Sequence, residues 1–247
     1  MDYGKAIKFT FEDKNWIGII LIGGALGLFS LTFFWTIIIP ILVGALFYGY
    51  MMQLIRDVRQ NPDAGLPDWT DWGKKLGDGL KLLIVQFIWA IPIFILLTPM
   101  LFLGILLGAY PDSETLAILF SITSMMTIFL TLIYGIFLIF LLPAITINLA
   151  VKERFAAGLE LGVIFKITKT HFVDILIILI LIYGISYIAT WIGILIFFIG
   201  MVFTSFWALL VQGHLFGQLA HLALPVDDET STAIDLPAET KPAPITG

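Results

Sequence analysis

The sequence predicts an all-α polytopic membrane protein: six transmembrane helices in three hairpins, with amphipathic segments on the cytoplasmic side. Three observations predict it. Apolar residues make up 60% of the chain and charged residues only 13%, against about 45–50% and about 25% in soluble domains. The stretches 17–55, 82–111, 116–151 and 175–226 contain no Asp, Glu, Lys or Arg, and each exceeds the ~20 residues that cross ~30 Å of hydrocarbon. With six spans, all 13 Lys and Arg residues fall on one side, leaving only Asp112 and Glu114 on the other. The positive-inside rule makes the cationic side cytoplasmic, with both termini there.

The elements follow in order. The first run, beginning at Trp16, would be roughly 60 Å long as one helix, so it must turn. Ser30, Thr32, the cluster Phe33-Phe34-Trp35 and Pro40 place that turn between helices at about 15–32 and 37–58. The next run gives a helix at about 82–108, which Pro92 and Pro99 should kink or shorten. Pro111-Asp112-Ser113 leads into a helix at about 116–142, which Pro143 should break. The last run holds helices at about 172–190 and 200–223. Residues 1–224 thus form the membrane domain. The acidic, Pro/Thr-rich tail 225–247 has lost every apolar period and is expected to lack order. No cleavable signal peptide is expected, because the first apolar run is too long and has no small-residue cleavage site.

Each hairpin is preceded by a stretch suited to the interface plane: 3–15, 66–81 and 152–173. In the first, Lys5, Lys8 and Glu12 oppose Ile7 and Phe11; in the second, Lys74, Asp78 and Lys81 oppose Leu76, Leu80 and Leu83. The second helix of each hairpin also ends in a carboxamide before leucine: Gln53-Leu54, Asn148-Leu149 and Gln218-Leu219. A threefold repeat and the plain gathering of polar groups at helix exits both account for this. Gly-xxx-Gly occurs at Gly23/Gly27, Gly73/Gly77, Gly104/Gly108, Gly158/Gly162 and Gly213/Gly217. Such pairs allow close helix packing within the chain, or a homodimer face.

Composition excludes several functions. The net charge of −5 offers no basic surface, so no nucleic-acid partner is expected. Without cysteine there are no thiolate metal sites, Fe–S clusters or cysteine nucleophiles. Charge-free spans leave no carboxylate relay for ion-coupled pumping and no lysine for a retinal Schiff base. His214, Gln218 and His221 share a helix face, but the two histidines lie two turns apart, roughly 10 Å, and cannot bind one ion. No metal, cofactor or catalytic residue is expected. Two candidate sites remain. If Gln53, Asn148 and Gln218 converge beside His214, they form a polar vestibule between helices. The loop Leu66-Pro67-Asp68-Trp69-Thr70-Asp71-Trp72-Gly73 is the second: Pro67 sets a turn, Asp71 or Thr70 caps the next helix, and Trp69 and Trp72 anchor in headgroups. Asp68 and Asp71 could also serve acid–base or cation chemistry, but no His, Ser or Lys constellation accompanies them.

The opening Met1-Asp2-Tyr3-Gly4-Lys5-Ala6 with Phe11-Glu12-Asp13 and Trp16, the loop Leu66-Pro67-Asp68-Trp69 to Trp72 with Asp78-Gly79-Leu80-Lys81, and the closing Gly213-His214-Leu215-Phe216-Gly217-Gln218-Leu219 carry a resemblance. In combination they resemble a prokaryotic membrane family, the domain of unknown function numbered four thousand and thirteen, over about residues 1–222. The resemblance implies a fold and a cell-membrane location, not a mechanism. The function expected is non-enzymatic: organising lipid or a membrane complex. Its partners would be the lipid bilayer and either another protein or a second copy. The alternative is an uncoupled transporter or channel for a small or lipidic solute.

Overall fold

The computed structural model describes residues 1–196 and 199–225, whose regular structure is all helical, with no strand among the described residues. Most of the acidic tail, from residue 226, lies outside the described residues. Helix α1 (Tyr3–Glu12) is capped by Asp2, whose carboxylate accepts from the Lys5 N–H at 2.9 Å. It meets α2 (Trp16–Thr32) at 93°. A 3₁₀ turn at Phe34–Thr36 and Ile37, at φ 60°, reverse the chain into α3 (Ile38–Gln60). The long helices α4 (Trp72–Ala109) and α5 (Glu114–Lys152) follow, then a 3₁₀ turn at Phe155–Leu159 and the short α6 (Leu161–Thr170). Helices α7 (Phe172–Leu195) and α8 (Ile199–Ala223) close the fold. Helices α3, α4, α5, α7 and α8 are each long and apolar enough to cross a membrane, and α1 with α2 meets the same measure as a bent pair. The protein is therefore a multi-pass membrane protein.

Two helices run further than expected. The helix placed at 82–108 begins at Trp72, because Lys75, Asp78, Gly79 and Leu82 are buried and bind the interfacial stretch into the same rod. The helix placed at 116–142 passes through Pro143 to Lys152. An interior proline costs ~3 kcal/mol, and continuous burial from Pro143 to Ala150 offsets it.

Pro92 and Pro99 neither end nor shorten α4. Each proline removes one backbone donor and crowds the preceding turn. The Tyr134 hydroxyl donates to the Trp89 carbonyl, three residues before Pro92, at 2.7 Å. The Thr127 hydroxyl donates to the Leu96 carbonyl, three residues before Pro99, at 3.4 Å. Thus at both prolines α5 donates to the carbonyl next to the one, of Ile88 or Ile95, that loses its helical donor, and so ties each weakened turn to the neighbouring helix. The hydroxyls of Ser124 and Thr131 belong to the same stripe and are buried without a partner among the described residues.

Glycine sets the close approaches. A Cβ at Gly49 would overlap the Lys75 carbonyl oxygen, and one at Gly79 would overlap that of Ala45. The crossing of α3 and α4 is therefore backbone against backbone. Gly23, Gly24 and Gly27 of α2 receive Phe206, Phe203 and Val202 of α8, while Gly213 and Gly217 fit α8 against Leu54 and Val58 of α3. Helix α8 thus inserts between α2 and α3, and the first hairpin packs mainly on α8 instead of on itself.

The buried core lies toward one end: Gly49–Val58 of α3, Lys75–Val85 of α4, Leu141–Ala150 of α5 and Phe206–Ala220 of α8. Contacts between Lys5 and Asp63, Lys74 and Glu153, and Arg59 and Leu224 bring the N-terminus, both long connections and the end of α8 to that same end. Beyond it, α4 and α5 form an arm with large side chains such as Ile95, Ile105, Ile122 and Met125 exposed.

Candidate functional site

The expected vestibule does not assemble; it divides. Asn148 is fully buried on α5, and its Nδ2 donates to the Ala157 carbonyl at 2.7 Å and to Glu160 at 3.3 Å. Gln218, on α8, holds the start of the chain: its Oε1 accepts from the Asp2 N–H at 2.7 Å, and its Nε2 donates to the Asp2 carbonyl at 2.8 Å. Gln53 is half-buried on α3 and bonds to neither. The structure brings together only His214 and Gln218, at 3.1 Å. The physical reason is local. Asn148 and Gln218 each reach the backbone of a segment that enters a helix, Ala157 and Asp2, and so are drawn to separate places.

That pair fixes a tautomer. Since Gln218 Oε1 faces an N–H, its Nε2 is the end that donates to His214 Nδ1, so the imidazole proton sits on Nε2. This Nε2 is buried without a partner among the described residues, and the Phe9 ring lies 4.3 Å away, centroid to centroid.

The loop 66–73 is also rearranged. Trp69 is buried, with its indole N–H donating to the Ile19 carbonyl at 3.2 Å and its ring stacked on Trp72 and Phe206. The Tyr50 hydroxyl donates to the Pro67 carbonyl at 2.5 Å. Trp69 is therefore a core residue and not a headgroup anchor, whereas Trp72 is exposed. Asp71 makes no side-chain cap; it takes a left-handed backbone at φ 49° and lets α4 start. Asp68 and Asp71 are exposed.

Sequence reasoning missed the charged cluster joining α3, α4 and α5. Arg56 lies 3.0 Å from Asp78, without hydrogen-bond alignment, and 3.2 Å from Glu153, with the Asp78 side chain 4% exposed. Lys81 and Lys74 complete it from the solvent side. A second hub is Glu160, which receives Lys152, Arg154 at 2.5 Å and Asn148. The Lys152 hydrogen bond, and then that from Asn148, hold the Glu160 carboxyl below its ordinary range. A hydrogen bond from Lys5 does the same for Asp63. The spacing Asp78…Lys81 was the only local signal, since Arg56 and Glu153 lie far off in sequence. Among the described residues, no three His, Asp or Glu side chains cluster closely enough to hold a metal ion.

Each of these polar groups joins one segment to another at the charged end, and this is the arrangement set against known proteins. The family described as "Protein of unknown function (DUF4013)" matches residues 32–217. The chain belongs to that family. Comparison with curated proteins and with solved structures finds no match. The family's match takes in α3 to α7 and most of α8, including Asn148, Glu160 and the Arg56–Asp78 pair, but not Asp2.

Proposed function

We propose that the protein resides in the cell membrane with both termini in the cytoplasm, and that it organises lipid or a membrane complex without catalysing a reaction. The observation that carries this reading is the fate of Asn148 and Gln218. The Nδ2 of Asn148 and both ends of the Gln218 carboxamide fasten the 155–160 turn and the N-terminus, which supports a scaffold more than a solute path. The exposed arm of α4 and α5 offers apolar surface to lipid, to another protein or to a second copy. The cations gathered at one end support the orientation.

A second reading, an uncoupled transporter or channel, draws on one feature: a cleft of about 390 Å³ between α2, α3 and α8, where Ser30, Tyr48 and Ser205 line an otherwise mainly apolar wall. One experiment separates the two. The full-length protein is reconstituted in liposomes loaded with small neutral and anionic dyes, and its native-membrane complexes are recovered in parallel by lipid-preserving extraction. The scaffold reading expects no leak above empty liposomes, together with stoichiometric lipid or protein partners. Solute flux from the reconstituted protein alone would overturn it.

A further inference from the structure

Lys5, Arg56, Lys74, Lys81, Lys152 and Arg154 each lie against a carboxylate at the charged end. Lys166 and Lys169 of α6 do not: both are exposed, and neither has an acidic partner among the described residues. The carboxylates on either side are already engaged, Glu160 with Lys152 and Arg154, and Asp174 with His171 at 3.3 Å. The helix itself contains no Asp or Glu. Its dipole accounts for a lysine in the last turn, such as Lys169, but not for Lys166 or for the bare face around both.

The rest of the helix sets where that pair sits. Helix α6 buries Ile164 and Ile167 against the core and turns Leu161 and Phe165 outward, at 54% and 43% exposure. Lys169 and Lys166 follow about 40° and about 100° further round from Phe165. The Phe165 ring lies 5.9 Å from that of Phe137 on the membrane helix α5, which is itself exposed along with Ile133 and Ile136. The apolar edge of α6 is therefore continuous with the exposed wall of α5, and its lysine edge sits where the headgroups begin. We infer that Lys166 and Lys169 bind the headgroup of an anionic phospholipid, with Leu161 and Phe165 set among its acyl chains. The inference rests on the lipid-organising reading and names the class of lipid. Lysines three residues apart on a helix stand about 5–6 Å apart at Cβ, close enough to share one phosphate. A zwitterionic headgroup brings its own cation to that pair and an anionic one does not, so the site selects net charge.

The full chain is placed in nanodiscs of phosphatidylcholine, and phosphatidylglycerol with the same acyl chains is titrated in. Lipid retained by the protein is counted by mass spectrometry after extraction. The anionic lipid should be retained saturably, and released as salt rises from about 0.05 M to about 0.5 M. Lys166→Gln and Lys169→Gln should each weaken retention roughly fivefold, and Lys166→Arg with Lys169→Arg should preserve it. Lys8→Gln with Lys14→Gln removes two charges from exposed positions near the start of the chain and should leave retention nearly unchanged. Unchanged elution and helicity identify folded variants. Equal retention of the two lipids overturns the site, and is the outcome if the lysines face an acidic protein instead. An equal loss in the Lys8 and Lys14 variant also overturns it, since binding would then follow overall charge. The scaffold reading is decided separately by flux and recovered complexes, so either can fail alone.

Discussion

A Cβ placed on Gly49 or Gly79 meets backbone across the α3–α4 crossing, and backbone cannot swing aside as a side chain can. Gly49→Ala should therefore lower stability by about 1–3 kcal/mol, the usual cost of overpacking. Gly44→Ala, on the same helix with nothing within 4 Å of its Cβ, should be neutral or better. Thermal unfolding of the two variants in one detergent decides it; equal midpoints would mean that the helices do not touch at Gly49. At Glu160 the expected signal is acid lability. Its folded value is lowered by the Lys152 hydrogen bond, from an ordinary 4.5. A depressed carboxylate contributes stability that is complete above its unfolded value and is lost as pH falls through the folded one. Amides at Ala157–Glu160 should thus be protected at about pH 6 and progressively released well below the ordinary value. Lys152→Met should move that release up toward the ordinary value, and a pH profile unchanged by that substitution would remove Lys152 as the cause.

At the scale of elements, α4 and α5 are tied by hydroxyl bonds to the turn before each proline of α4. Tyr134 with Trp89 and Thr127 with Leu96 are seven residues apart on both helices, two turns of register. Each interhelical bond of this type is worth about 0.6 kcal/mol. Tyr134→Phe should cost about that much with Pro92 present and less in a Pro92→Ala background, where the turn closes up once the ring is gone and the Ile93 N–H serves the Trp89 carbonyl. A double-mutant cycle giving no coupling would show that the hydroxyl does not serve the broken turn. The prolines also mark where the sequence stopped being legible. Periodicity and charge located the spans, because hydrocarbon thickness acts on every residue of a run. They could not tell whether Pro92, Pro99 and Pro143 break a helix, since that depends on donors and packing supplied by other segments. Gly23/Gly27 and Gly213/Gly217 were readable as packing pairs. The Gly49–Gly79 crossing was not, because its partners on each helix are Ala45 and Lys75. The vestibule failed for a related reason: a carboxamide's level in the membrane can be read from sequence, but the backbone segment that it reaches cannot.

The whole molecule tests its own topology. Single cysteines at Asp112 and Lys169, both exposed in a chain without native cysteine, should react with an impermeant maleimide from opposite sides of sealed vesicles. Reaction from one side would end the six-span arrangement. A last consequence comes from helix length. Helix α2 has 17 residues, roughly 25 Å of rod, and the charge-free part of α4, from Leu82 to Ala109, is roughly 42 Å, beside hydrocarbon ~30 Å thick. The bilayer must thin on one flank, while on the other the arm leans or the membrane swells around it. Each deformation costs energy per ångström of mismatch, so acyl length acts on this fold much as a ligand would. Two copies that share their thinned or thickened annuli spare the membrane part of that distortion. They are then drawn together without any contact between their side chains.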